Sequence, residues 1–289
     1  MNDHIIQGLA YNNEVRFFAA YTKDTVNTAR QIHHTLPVCT AALGRLLTAA
    51  AMMGAMCKNE EDLVTIKIDG DGPIRQATVT TDARSNVKGL LYDPLVELPL
   101  KANGHLDVGG AIGHGILSVM KDLGLKEPYA GQTPLVSGEI GEDLTYYFAS
   151  SEQVPTSVGL GVLVDTDLSV KHAGGFIIQL LPFASEETIS ALEEAVEKVR
   201  SVTDYFLQGK TPEEMMREIF GETTEITIED TRPVQYLCDC SRARVTKALI
   251  SLGRDELIDM IREDQPVTLH CDFCNKDYVF SVEEIRALL

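Results

Sequence analysis

Two hydrophobic periods alternate along the first part of the chain. Segments 15–22, 63–69, 75–82, 144–150, 159–165 and 174–181 are rich in β-branched and aromatic residues and bounded by Gly, Asp or Pro, which predicts strands. Segments 24–35 and 38–57 repeat apolar residues at helical spacing instead. Strands grouped together with few helices between them predict an α+β domain over residues 1–182 rather than a regularly wound parallel sheet. The longest apolar run, 46–57, spans twelve residues and follows Arg45, too short for a bilayer span, so no membrane partner is expected.

From Ser185 the period becomes helical. Ser185-Glu186-Glu187-Thr188 supplies a helix start, and Ile189, Leu192, Val196, Val199, Val202 and Phe206 recur at three- and four-residue steps until Gly209. A second start follows at Thr211-Pro212-Glu213-Glu214, with Pro at the first helical position. Beyond Gly221 the stretch 222–231 is polar and β-branched and leads into Pro233. Residues 185–232 hold 5 basic and 13 acidic groups, a net −8 in 48 residues. A thin apolar stripe opposite an acidic face is marginal alone and depends on docking. Residues 183–232 are therefore expected to form an acidic helical linker, either a permanent connector or an element that lets go under some condition.

The remaining segment, 233–289, carries four of the six cysteines as Cys238-Asp239-Cys240 and Cys271-Asp272-Phe273-Cys274, with thirty residues between the pairs. Two close thiol pairs are the pattern of a tetrahedral structural zinc site, one ion on four thiolates, with Cys238, Cys240, Cys271 and Cys274 as ligands. An i,i+2 pair on extended backbone and a C-x-x-C turn each aim both sulfurs one way. Helices are expected over 241–250, 254–261 and 282–289. A module of 57 residues lies below the size at which an apolar core usually suffices, whereas structural zinc contributes about 10–16 kcal/mol. Metal-bound sulfur is a thiolate, the form oxidants attack, and each close pair can oxidise within itself. The i,i+3 spacing suits a disulfide, while i,i+2 needs a bent backbone. A permanent zinc ribbon and a thiol switch both fit this pattern.

Composition narrows the choices. With 289 residues and 44% apolar content the chain can bury a real core, and its first residues show no leader pattern, so a cytoplasmic protein with reduced thiols is expected. Cys39 and Cys57 lie in apolar helical sequence and read as buried structural thiols. A net charge of −18 repels phosphate backbones, so no nucleic-acid partner is expected. Gln208-Gly209-Lys210-Thr211 lacks the first glycine of a phosphate loop, which is Asp204 here, and Gly159-Leu160-Gly161 lacks the third glycine of a dinucleotide fingerprint, which is Val164. His33 and His34 close a helix, Met52, Met53 and Met56 read as core, and Gly70-Asp71-Gly72-Pro73 reads as a turn. No catalytic constellation stands out, so no catalytic residue is assigned and an enzyme is not expected. A competing function is an adaptor whose ribbon docks on RNA or a protein through Arg242, Arg244 and Lys247.

The cysteine signature C-x-C-x30-C-x-x-C, together with Ala41-Ala42-Leu43-Gly44-Arg45, Gly70-Asp71-Gly72-Pro73-Ile74, Ser151-Glu152-Gln153 and Ala173-Gly174-Gly175-Phe176 in that order, resembles the redox-regulated heat-shock protein 33 chaperones over essentially the whole chain. The resemblance implies an ATP-independent holdase, inactive when reduced and zinc-bound. It further implies that oxidation forms the disulfides Cys238–Cys240 and Cys271–Cys274 and releases zinc. The linker then unfolds, and an often dimeric active form binds unfolding client proteins.

Overall fold

A computed structural model describes residues 1–289 and divides them into two compact units, Met1–Leu237 and Cys238–Leu289. The class is α+β. In chain order the first unit contains β1 His4–Ala10, β2 Val15–Tyr21, α1 Lys23–His33, α2 Pro37–Ala55, β3 Leu63–Gly70, β4 Gln76–Asp82 and β5 Asn86–Leu91. It continues with α3 Val108–Ile112, β6 Gly115–Asp122, β7 Tyr129–Pro134, α4 Gly141–Ser150, β8 Thr156–Val164 and β9 Val170–Leu180. The linker supplies α5 Glu186–Glu197, α6 Val202–Leu207, α7 Pro212–Phe220, β10 Ile226–Pro233 and β11 Gln235–Tyr236.

These strands form a five-stranded sheet, β10-β1-β2-β9-β8, and a six-stranded sheet, β11-β5-β4-β3-β6-β7. Helix α2 lies between them, with 17 of its 19 residues buried. Its core joins Ile5, Phe18, Ala20 and Ile177 of the first sheet to Val64, Ile66, Ile68, Val79, Leu117 and Val119 of the second. By length and composition α2 could cross a membrane, beyond what the twelve-residue run suggested, but 94% of the qualifying window is buried inside the protein. Among the methionines read as core, Met52 and Met53 are buried on this helix.

The opposite face of the five-stranded sheet is equally apolar. Ile6, Val15, Phe17, Ala19, Tyr21, Phe176 and Ile178 are buried there by Leu192, Val202, Phe206, Met215, Met216, Ile219 and Phe220 of α5–α7. The helix starts expected in the linker are capped: Ser185 Oγ accepts from Thr188 N, and Thr211 and Glu214 form a reciprocal capping box. Phe220 meets Phe17 edge-on at 5.3 Å and Phe206 meets Tyr21 at 5.0 Å. Close approach needs Gly174, since a Cβ there would fall 2.5 Å from the Phe206 ring.

Two readings are corrected. Residues 144–150 are not a strand but most of α4. Leu144, Tyr147 and Phe148 bury at three- and four-residue steps, and Asp143 Oδ atoms accept from Val136 N and Ile140 N at 2.7 and 2.8 Å, fixing the helix start. The linker is helical only to Phe220; β10 then pairs antiparallel with β1 from Ala10↔Ile226 to His4↔Pro233. After it Val234 enters the α2 core, β11 runs parallel to β5, and the Tyr236 hydroxyl donates to Gly89 O at 2.9 Å. Residues 233–237 thus lie in the first unit, and the second compact unit begins at Cys238.

Candidate metal centre

The second unit is built from α8 Arg242–Ser251, α9 Arg254–Arg262, the hairpin β12 Val267–Cys271 and β13 Lys276–Phe280, and α10 Val282–Arg286. Ser241 caps α8 by accepting from Arg244 N, and Ser281 with Glu284 forms a capping box on α10. The core is small: Leu249, Leu257, Tyr278, Phe280 and Ile285 are buried, with Cys240 and Cys271 packed against them. Arg242 ties three elements together, donating to Val279 O at 2.9 Å, pairing with Glu284 at 2.6 Å and stacking 4.2 Å from the Phe280 ring centroid.

The hairpin presents the second thiol pair. Cys271 ends β12, and the turn is closed by Cys274 N and Asn275 N donating to Cys271 O at 3.2 and 2.8 Å. Asn275 has φ 55°, a left-handed position that Asn tolerates. The first pair lies outside any strand, in the segment between β11 and α8. Both pairs nevertheless converge, and all four sulfurs lie within 4.8 Å of one another. Cys238 Sγ is 3.7 Å from Cys271 Sγ and Cys240 Sγ is 3.3 Å from Cys274 Sγ, so each contact joins one pair to the other. A tetrahedron with metal–sulfur bonds of about 2.3 Å has edges of about 3.8 Å, so four sulfurs at these separations fit one such ion. None of the six cysteines is paired in a disulfide.

The four sulfurs are not equivalent. The Tyr278 hydroxyl donates to Cys240 Sγ at 3.2 Å, and this bond pulls the Cys240 thiol down to about 7. Burial pushes Cys238 and Cys274 up. The Tyr278 hydroxyl thus favours negative charge on Cys240, while burial disfavours it on Cys238 and Cys274. Sequence reading found the four cysteines but not Tyr278, and it took Arg242 for a partner-docking cation rather than a tie within the module. An aromatic residue at an inward hairpin position was the available signal for Tyr278; nothing local marks Arg242 as more than a surface cation.

The other cysteines stand apart. Cys39 is fully buried on α2, its thiol directed at Asp93 O and Val96 O, and burial pushes it up to about 11. Cys57 is half-buried rather than buried, and its thiol is also pushed up by burial.

A profile of the Hsp33 protein family matches residues 3–281. The chain is 54% identical to the 33 kDa chaperonin of Lachnoclostridium phytofermentans, covering 100% of this chain and 99% of that one. It is 50% identical to the 33 kDa chaperonin of Agathobacter rectalis, with both chains covered completely. The crystal structure of the 33 kDa chaperonin (heat shock protein 33 homolog) of Thermotoga maritima superposes with a TM-score of 0.90 at 39% identity, covering 100% of this chain and 98% of that one. Matched across its whole length in sequence and in fold, the chain belongs to the Hsp33 family.

Proposed function

We propose that this protein is a redox-regulated, ATP-independent chaperone that holds unfolding proteins and is not an enzyme. The observation that carries the reading is an oxidisable cluster of four thiols in a chain whose linker helices cover a continuous apolar sheet face. The relatives' name, 33 kDa chaperonin, supports the chaperone role.

In the reduced state Cys238, Cys240, Cys271 and Cys274 would hold one zinc ion, which keeps the sulfurs as thiolates and ties the start of the module to its hairpin. Oxidation to Cys238–Cys240 and Cys271–Cys274 disulfides removes all four donors. What remains is a core of five buried side chains, too small to hold a 52-residue unit unaided. Melting of the module takes away the folded anchor that follows the linker in the chain. The linker then undocks, uncovering Ile6, Phe17, Ala19, Tyr21, Phe176 and Ile178 and freeing its own Phe206 and Phe220. Surface of this kind binds the apolar segments of unfolding proteins.

In this reading the protein works in the cytoplasm, its partners are client proteins and a second copy in the active dimer, and neither nucleic acid nor membrane is engaged. The acidic surface keeps client complexes soluble. Light scattering from a thermally unfolding client tests it. Suppression by protein treated with peroxide at elevated temperature, and not by the reduced zinc-loaded form, is expected. Zinc retention with no protection by either form would leave a structural ribbon in place of a switch.

A further inference from the structure

Tyr278 reaches from the hairpin of the second thiol pair to a sulfur of the first. It stands on β13 opposite Leu269, 6% exposed, with its ring among Leu249, Leu257, Phe280 and Ile285. Its hydroxyl donates to Cys240 Sγ at 3.2 Å. Besides its 3.3 Å contact with Cys274 Sγ, Cys240 thus takes a side-chain hydroxyl held by a packed ring.

We propose that Tyr278 is a positioning residue of the thiol switch, holding the Cys240 sulfur and withdrawing electron density from it so that Cys240 yields its electron pair to an oxidant more slowly. A donor on a sulfur lone pair stabilises the resting thiolate and must be given up, at least in part, as that pair forms a new bond. With hydrogen peroxide, one sulfur of the pair attacks a peroxide oxygen. The oxygen–oxygen bond breaks and hydroxide leaves, taking up a proton as water. The partner sulfur then displaces the sulfenic hydroxyl, forming the disulfide and a second water. If Cys240 reacts first it attacks oxygen; if second, it attacks the Cys238 sulfur. Either way Cys240 attacks as a nucleophile, and the Tyr278 hydroxyl lowers the electron density with which its sulfur does so.

The inference rests on reading these cysteines as oxidisable metal ligands, and its test separates the two. Full-length, reduced, zinc-loaded protein is exposed to hydrogen peroxide, quenched by alkylation, and the reduced fraction of each cysteine followed by mass spectrometry. Tyr278→Phe keeps the ring and removes the hydroxyl. Its Cys240 should be lost roughly tenfold faster, with the rate ratio of Cys240 to Cys274 rising by a similar factor. Leu249→Ala, which loosens the core but leaves the Tyr278 hydroxyl in place, should accelerate all four cysteines in step. A Cys240 to Cys274 ratio within about twofold of the parent in Tyr278→Phe would overturn the proposal. Iodoacetamide in place of peroxide gives the same ratio as a readout even if oxidation proves not to activate the protein, so failure of the chaperone reading would not be mistaken for failure of this one.

Discussion

Replacing Phe206 by Ala tests whether the linker is held by the sheet face. Phe206 is 2% exposed, packs edge-on against Tyr21 at 5.0 Å and lies over Gly174. Truncating a buried Phe costs about 3–5 kcal/mol. Because the ring is in the docking interface and outside the α2 core, the cost falls on the local opening of α5–α7. The open population should rise by about a hundredfold to several thousandfold, at about 1.4 kcal/mol per tenfold. Amide hydrogen exchange on the reduced, zinc-loaded protein reads this directly. Amides over 186–220 should exchange faster by that factor while those of α2 and the six-stranded sheet keep their rates. The same variant should suppress client aggregation without oxidant. Exchange over 186–220 within about threefold of the parent, or acceleration spread evenly over the first unit, would refute the reasoning.

Three further outcomes are expected. Cys274→Ser should abolish tight zinc binding and loosen the module, while Cys39→Ser, on a buried thiol far from the cluster in sequence, should leave zinc affinity unchanged; equal affinities by chelator competition would break the ligand assignment. Gly161→Ala places a Cβ 2.8 Å from Thr203 Cγ2 and 3.3 Å from Val202 Cβ, so it should loosen the start of α6 by about 1–3 kcal/mol, seen as faster exchange there with β8 unaffected. Glu14 accepts from Ser185 Oγ and Ser185 N at 2.8 and 3.1 Å, and hydrogen bonds from Thr188 and Ser185 hold its carboxyl below the ordinary 4.5. The lowered value means this anchor on α5 is fully present above 4.5 and is lost as pH falls through the folded value. Glu14→Gln at neutral pH should reproduce the acid effect on proteolysis at the start of α5, and no change in either case would remove Glu14 as an anchor.

The features legible in the sequence are those with a local cause. Two close thiol pairs announce a metal-type site whatever the fold, and Ser185 and Thr211 start helices through contacts three residues away. Features with a distant cause were missed. In β10, Ile226 and Ile228 alternate with polar residues, but the strand forms because β1 offers an edge more than two hundred residues earlier in the chain. The run Leu144 to Phe148 satisfies strand propensity and helical spacing at once, and the buried carboxylate of Asp143 decides for helix. Tyr278 belongs to the same class, since its role depends on where Cys240 lies after folding.

The central claim is that oxidation of four thiols in the module releases the linker from an apolar sheet face. Hydrogen exchange of the reduced zinc-loaded protein against the peroxide-oxidised, zinc-free protein measures this most directly. The account requires amides over 186–220 and 242–286 to lose protection on oxidation while those of α2 keep it. If the disulfides form and zinc leaves, yet 186–220 stays as protected as before, the linker is a permanent connector and the coupling of thiol chemistry to chaperone surface is contradicted.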